Sequence, residues 1–132
     1  PKLDTVSLMA RKILLIEDSQ YIKELYKEIL QNAGYEVDNA EDAISAIAKI
    51  KKGGYDLILL DMLMPKGDGL EVIKKASQNP PAVKNGPILI LTNLTKDALV
   101  QKALDSGASS YILKSDITPG QLIETVKKFL KP

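Results

Sequence analysis

Four short apolar runs punctuate this chain, and each stops at a residue capable of chemistry. Ile13-Leu14-Leu15-Ile16 ends at Glu17-Asp18, Leu57-Ile58-Leu59-Leu60 at Asp61, and Ile88-Leu89-Ile90-Leu91 at Thr92. A weaker run, Tyr111-Ile112-Leu113, ends at Lys114. Unbroken branched runs of this length predict parallel strands buried on both faces. Tyr35 to Asn39 is more polar, and predicts one further short strand. Between the runs the apolar spacing changes to the helical pattern of threes and fours. Ile22, Leu25, Tyr26, Ile29, Leu30 and Ala33 form one stripe, closed by Gly34 at a C-cap position. Ala43, Ile44, Ile47 and Ile50 form a second, ended by Gly53-Gly54. Leu70, Ile73 and Ala76 mark a third helix, and Leu99, Val100, Ala103 and Leu104 a fourth that ends near Gly107. Thr118-Pro119-Gly120-Gln121 announces the last, with a capping Thr, Pro at the first helical position and Gln at the capping-box position. Ile117 and Leu122 are placed for a hydrophobic staple, and Leu122, Val126, Phe129 and Leu130 are expected to face the core.

Five strand–helix alternations with short loops predict an α/β fold: a doubly wound, five-stranded parallel sheet with five helices covering both faces. The 132 residues, 45% of them hydrophobic, are enough for one such domain and too few for two. Residues 1–9 lack any period and are expected to form a flexible leader or a remnant of expression, leaving 10–132 as the domain. One connection is long, from Asn79 to Pro87. It joins a helix to a strand and therefore lies at the amino ends of the strands, where it reads as a surface loop tolerant of insertion.

In open parallel sheets, ligands sit just beyond the carboxyl ends of the strands. If the four runs are neighbours, one small volume collects three carboxylates, a hydroxyl and an ammonium. Singly, each has a commonplace explanation, such as a helix cap or a snorkelling lysine. Together they are complementary. The chain has no Cys and no His, which excludes a thiolate nucleophile, a Ser-His-Asp triad and an imidazole metal site. Any metal must be held by oxygen, favouring Mg²⁺, Mn²⁺ or Ca²⁺. Carboxylates 4 Å apart repel by roughly 4 kcal/mol per pair at an effective dielectric near 20. Such a cluster persists only when a cation or protons neutralise it. Glu17 and Asp18 suit Mg²⁺, which takes few carboxylates and keeps several waters, and Mn²⁺ could substitute. Asp61 is then both a ligand and a candidate nucleophile, since an aspartyl carboxylate can accept a phosphoryl group. Lys114 is placed to pair with a remaining oxygen as a point charge, and the Thr92 hydroxyl to donate to another.

Charge and hydropathy narrow the partners. Basic and acidic residues number 18 and 17, so neither a nucleic-acid footprint nor a membrane-binding face is expected. No apolar run approaches the length of a membrane span, and no signal peptide is predicted. The lack of Cys fits a reducing compartment, and the expected location is the cytoplasm.

The segment Asp61-Met62-Leu63-Met64-Pro65-Lys66-Gly67-Asp68-Gly69, a strand ending in Asp that runs into Met-Pro and two glycines, resembles the receiver domain of two-component response regulators. The spacing of Glu17-Asp18, Asp61, Thr92 and Lys114 matches that family's site across about residues 11 to 130. The resemblance implies the flavodoxin-like fold of receiver type, with Asp61 as phosphoacceptor and Mg²⁺ held by Glu17, Asp18, Asp61 and the backbone carbonyl of Leu63. It implies Thr92 as the switch hydroxyl, Lys114 as the phosphate-pairing lysine and Tyr111 as an aromatic that changes rotamer on activation. A sensor histidine kinase is the implied donor. The implied output is a downstream protein target or a homodimer through the fourth helix, fifth strand and fifth helix. The family is a signalling phosphoacceptor rather than an enzyme with a turned-over substrate. Two positions depart from its pattern: Asn93 stands where a small residue usually follows the switch Thr, and Ser115 where Pro commonly follows the lysine. Leu63 and Leu94, two residues beyond Asp61 and Thr92, carry no polar atom to orient water, so a phosphorylated Asp61 is expected to hydrolyse slowly. Alternative functions are a Mg²⁺-dependent phosphohydrolase with an Asp nucleophile and a degenerate receiver that acts only as a binding module. The hydrolase class generally shows Asp-x-Asp, where this chain has Leu63.

Overall fold

The computed structural model describes residues 11–62, 64, 69–78, 81, 83–93, 98–115 and 117–130. The strands are β1 Lys12–Ile16, β2 Glu36–Ala40, β3 Leu57–Asp61, β4 Ile88–Thr92 and β5 Ser110–Leu113. They alternate with the helices α1 Gln20–Asn32, α2 Ala43–Lys52, α3 Gly69–Gln78, α4 Ala98–Ser106 and α5 Pro119–Phe129. All pairings are parallel, in the order β2-β1-β3-β4-β5. The fold class predicted from the runs is therefore the one observed. Strand order reverses between β1 and β3, the place where open α/β sheets bind ligands.

Alternation along each strand divides the core in two. Ile13, Leu15, Leu57, Leu59, Leu89, Leu91 and Ile112 meet Tyr26 and Leu30 of α1 and Leu122 and Val126 of α5. Leu14, Ile16, Ile58, Leu60 and Ile90 meet Ala46 and Ile50 of α2, Val72 and Ile73 of α3, and Ala103 of α4. The central strand β3 is buried at all five positions, which is why its sequence is continuously apolar rather than alternating.

Helix ends follow local chemistry. Ser19, Asp42 and Thr118 are the N-caps of α1, α2 and α5, and the Thr118–Gln121 capping box is present in both directions. Gly34 lies one residue past the Ala33 C-cap, with φ at +98°. The Gly34 N–H donates to Gln31 and the Tyr35 N–H to Leu30, a Schellman closure that needs a residue tolerant of positive φ.

Several expectations shift. The second strand begins at Glu36 rather than Tyr35 and runs to Ala40. Leu25 and Ile44, assigned to inward stripes, are exposed; the inward positions of those helices are Lys23, Tyr26 and Leu30, and Ala46 and Ile50. In α4, Val100 and Ala103 are buried, and Leu99 and Leu104 are half-buried against the core. The long connection is no loose loop at its carboxyl half. Asn85 accepts from the Tyr55 N–H at 3.1 Å and donates to the Ile50 carbonyl at 3.0 Å, and the Gly86 N–H donates to Tyr55 at 2.7 Å. Val83 forms a parallel bridge with Gly53. The expected leader, 1–9, lies outside the described residues. Among the described residues, no helix is long and apolar enough to cross a membrane.

Candidate functional site

Three strand ends carry the acidic and hydroxyl groups to one place. Glu17 follows Ile13 and Leu15, and Asp61 follows Leu57 and Leu59, so period-two alternation sends both toward the α1/α5 face. The Glu17 N–H is fixed by the Ala40 carbonyl at 3.0 Å and the Met62 N–H by the Leu91 carbonyl at 3.2 Å, continuing the ladder past the strands. Glu17, Asp61 and Thr92 are all buried, and Asp18 is open to solvent. One ligand atom from each of Glu17, Asp18 and Asp61 lies within 4.8 Å of the others.

Lys114 enters from beyond β5, where its N–H donates to the Thr92 carbonyl at 2.8 Å. Its ammonium is 3.3 Å from Glu17 Oε1 and 3.4 Å from Asp61 Oδ2. Among the described residues, one cation thus contacts two carboxylates of a cluster of three. Glu17 registers their crowding. Burial first, then the hydrogen bond and charge of Asp61, push its carboxyl up to about 8, against the partial relief supplied by Lys114. A buried acid that holds a proton at neutral pH marks a site short of positive charge. An all-oxygen donor set with two buried members and one open to water fits a hard divalent cation that retains part of its hydration shell.

The structure thus brings together Glu17, Asp18, Asp61 and Lys114, and sets Thr92 on the next strand from Asp61. Leu63 and Leu94 lie outside the described residues, as does most of the Met-Pro-Gly segment. Tyr111 is on the edge strand β5, 41% exposed. With Ile117, Gln121 and Thr125 it lines an open groove of about 620 Å³ between β5 and α5. No cis peptide bond occurs among the described residues, so the Lys114–Ser115 bond is trans.

Sequence reasoning missed two residues near the site. Lys23, buried on the inward stripe of α1, forms an ion pair with Glu41 just past β2. Tyr26 is buried on the same helix, its phenol pushed up by burial and then by the charges of Glu17 and Asp61. The one available signal was a lysine inside an otherwise apolar stripe; nothing local pointed to Glu41.

Comparison with known proteins adds the context that geometry cannot. A family model described as the response regulator receiver domain matches residues 13–127. The chain is 35% identical to the transcriptional regulatory protein ResD of Bacillus subtilis (strain 168), over 91% of this chain and 48% of ResD. It is 34% identical to the chemotaxis protein CheY of Treponema pallidum (strain Nichols), over 91% of this chain and 83% of that protein. For the phosphate regulon transcriptional regulatory protein PhoB of Escherichia coli (strain K12), the figures are 32%, 93% and 53%. The chain spans about half the length of ResD and PhoB. Among solved structures, the Vibrio cholerae chemotaxis protein CheY4 superposes with a TM-score of 0.78 at 34% identity, covering 92% of this chain and 99% of that one. A CheY-like receiver domain protein from Methanospirillum hungatei JF-1 gives 0.81 at 30% identity, covering 92% and 94%.

Proposed function

This chain belongs to the receiver domains of response regulators, and on that premise we propose that Asp61 accepts a phosphoryl group from a sensor histidine kinase in a Mg²⁺-dependent step. The observation that carries the proposal is the convergence of the Glu17, Asp18 and Asp61 ligand atoms within 4.8 Å, with the Lys114 ammonium 3.4 Å from Asp61. In the transfer, an Asp61 carboxylate oxygen attacks phosphorus, the phosphorus–nitrogen bond of the donor phosphohistidine breaks, and the imidazole leaves with the electron pair. Glu17, Asp18 and Asp61, with the Leu63 carbonyl, would hold the metal. When bound, Mg²⁺ supplies neutralisation of the charge that develops on the phosphoryl oxygens. Lys114 offsets the same charge, its ammonium lying beside Asp61, and Thr92, one strand over, would donate to a phosphoryl oxygen.

The output follows from where those groups are anchored. Thr92 ends β4 and Lys114 follows β5, so their repositioning biases α4, β5 and α5, with Tyr111 as the aromatic that turns. A protein target or a second copy would engage that surface, without direct nucleic-acid contact, and the domain would act in the cytoplasm. It is a signalling acceptor whose only chemistry is self-catalysed transfer and slow loss of its own phosphoryl group. A phosphohydrolase is less well supported, because Leu63 occupies the place of that class's second acid.

Incubation with Mg²⁺ and a small-molecule phosphodonor, followed by intact-mass measurement, tests the proposal. One phosphoryl mass is expected on the wild type and none on Asp61→Asn. No adduct on the wild type, or equal adducts on both, overturns it.

A further inference from the structure

We infer that Lys23 is a positioning residue for the acidic site: through its ion pair with Glu41 it holds the segment that carries Asp18 against the segment that fixes Glu17. The inference rests on the proposal that these two acids, with Asp61, hold Mg²⁺.

The first support is a closed circuit of bonds. Asp18 precedes Ser19, the N-cap of α1, and the Ser19 carbonyl accepts the Lys23 N–H at 2.9 Å. The Lys23 ammonium reaches across to Glu41 Oε1. Glu41 directly follows Ala40, whose carbonyl accepts the Glu17 N–H at 3.0 Å. Glu17 and Asp18 are adjacent, so the circuit closes on the two acids themselves. Asp18 belongs to neither β1 nor α1, and its place depends on how those elements are held. Val37 of β2 packs against the core under α1, but it is three residues short of Ala40, roughly 10 Å along the strand. At the site end, the ion pair ties α1 to the segment that follows β2.

The second support is the placement of the lysine itself. Its side chain is 8% exposed, against 61% for Glu41, so it does not carry its ammonium out to water as a surface lysine does. It occupies the inward stripe that Tyr26 and Leu30 continue. An apolar side chain there would pack without the penalty of desolvating a charge, so stability alone favours Leu or Met. What an apolar residue lacks is a directed bond to one oxygen beyond β2. Mg²⁺ demands near-ideal octahedral geometry, so a small displacement of Asp18 relative to Glu17 weakens the site. Groups that orient metal ligands from behind commonly change affinity by about tenfold or more when lost.

The test is a calorimetric Mg²⁺ titration of wild type, Lys23→Met and Lys23→Arg, with the metal-free melting temperature measured for each. Removing a positive charge from this corner by itself favours a bound cation, so the sign of the change separates charge from position. Lys23→Met is expected to need about tenfold more Mg²⁺ for half-saturation, while its metal-free melting temperature stays level or rises. Lys23→Arg keeps a donor for Glu41 and should restore most of the affinity. Glu41→Gln and Glu41→Ala form a second comparison at an exposed position, where folding is not at stake. Both remove the same charge, but only Gln keeps an oxygen for the ammonium, so Glu41→Ala should bind Mg²⁺ more weakly than Glu41→Gln. Lys23→Met binding Mg²⁺ as tightly as wild type or tighter, or equal half-saturation in the two Glu41 variants, overturns the role of Lys23 and leaves the metal site intact. Failure of the wild type to bind Mg²⁺ overturns both this inference and the metal site itself.

Discussion

With its carboxyl pushed up from 4.5 to about 8, Glu17 keeps a proton in the folded chain at pH values where the unfolded chain has released it. The folded state then binds more protons than the unfolded state between those limits, so stability falls as pH rises through that window. Below about 4.5 the contribution is fully present, and above about 8 it is fully lost. Metal-free protein should therefore show a melting temperature that declines between about pH 5 and 8 relative to Glu17→Gln, which cannot titrate at this position. Mg²⁺ requires the charged carboxylate, so saturating Mg²⁺ should remove most of the decline. A wild-type profile parallel to that of Glu17→Gln would refute the assignment. Residues of this kind were legible in the sequence because they end apolar runs, and topology alone brings strand ends together. Lys23 and Tyr26 were not legible as site neighbours, because positions on an inward helical stripe read as core whatever lies at their tips.

Elements were legible where their signals are local. The Thr118–Gln121 box spans four residues, and the Gly34 closure acts within one turn, so local sequence is enough to announce both. The clasp at the opposite pole was hidden because its bonds join distant segments: Asn85 reaches Tyr55 and Ile50 across 30 and 35 residues. Gly86 is a tight point of that clasp, since a Cβ there would lie 1.8 Å from the Asp56 carbonyl oxygen and 2.6 Å from its carbonyl carbon. Neither atom is the end of a flexible side chain, so the backbone must move and the 2.7 Å bond from Gly86 to Tyr55 must stretch. Gly86→Ala should cost on the order of 3 kcal/mol in urea unfolding. Val83→Ala, which removes an exposed side chain from the same segment, should fall within about 0.5 kcal/mol of wild type. Equal effects would show that the segment is the insertion-tolerant loop that its polar, Pro-rich sequence suggests. The same polar network continues into the sheet. Tyr55 donates to Asp38 at 2.6 Å and Lys49 to the same carboxylate at 2.7 Å. Burial pushes Asp38 up, but these bonds outweigh it and leave its carboxyl below the ordinary value.

At the scale of the whole molecule, the two edges of the sheet are tied to the site unequally. On one side, Glu17 is joined to the end of β2 by a single backbone bond to Ala40, and the Lys23–Glu41 pair clamps α1 to the same corner. On the other side, Lys114 touches the carboxylates directly and Thr92 through its backbone, and it is attached to the four-residue edge strand β5. Both edge strands are paired along one side only, but β5 runs directly into the lysine that contacts the carboxylates, so a new charge on Asp61 that draws Lys114 inward should move β5 more than β2. Phosphorylation should therefore change amide chemical shifts at 110–114 and 117–121 more than at 36–46, although both segments border the site. Tyr111→Ala should leave the phosphoryl adduct at the wild-type level while reducing the shifts at 117–121, because the ring lines the groove between β5 and α5. Shift changes of equal size at the two edges would mean that the charge is absorbed at the site and that the β5 edge is not the moving part.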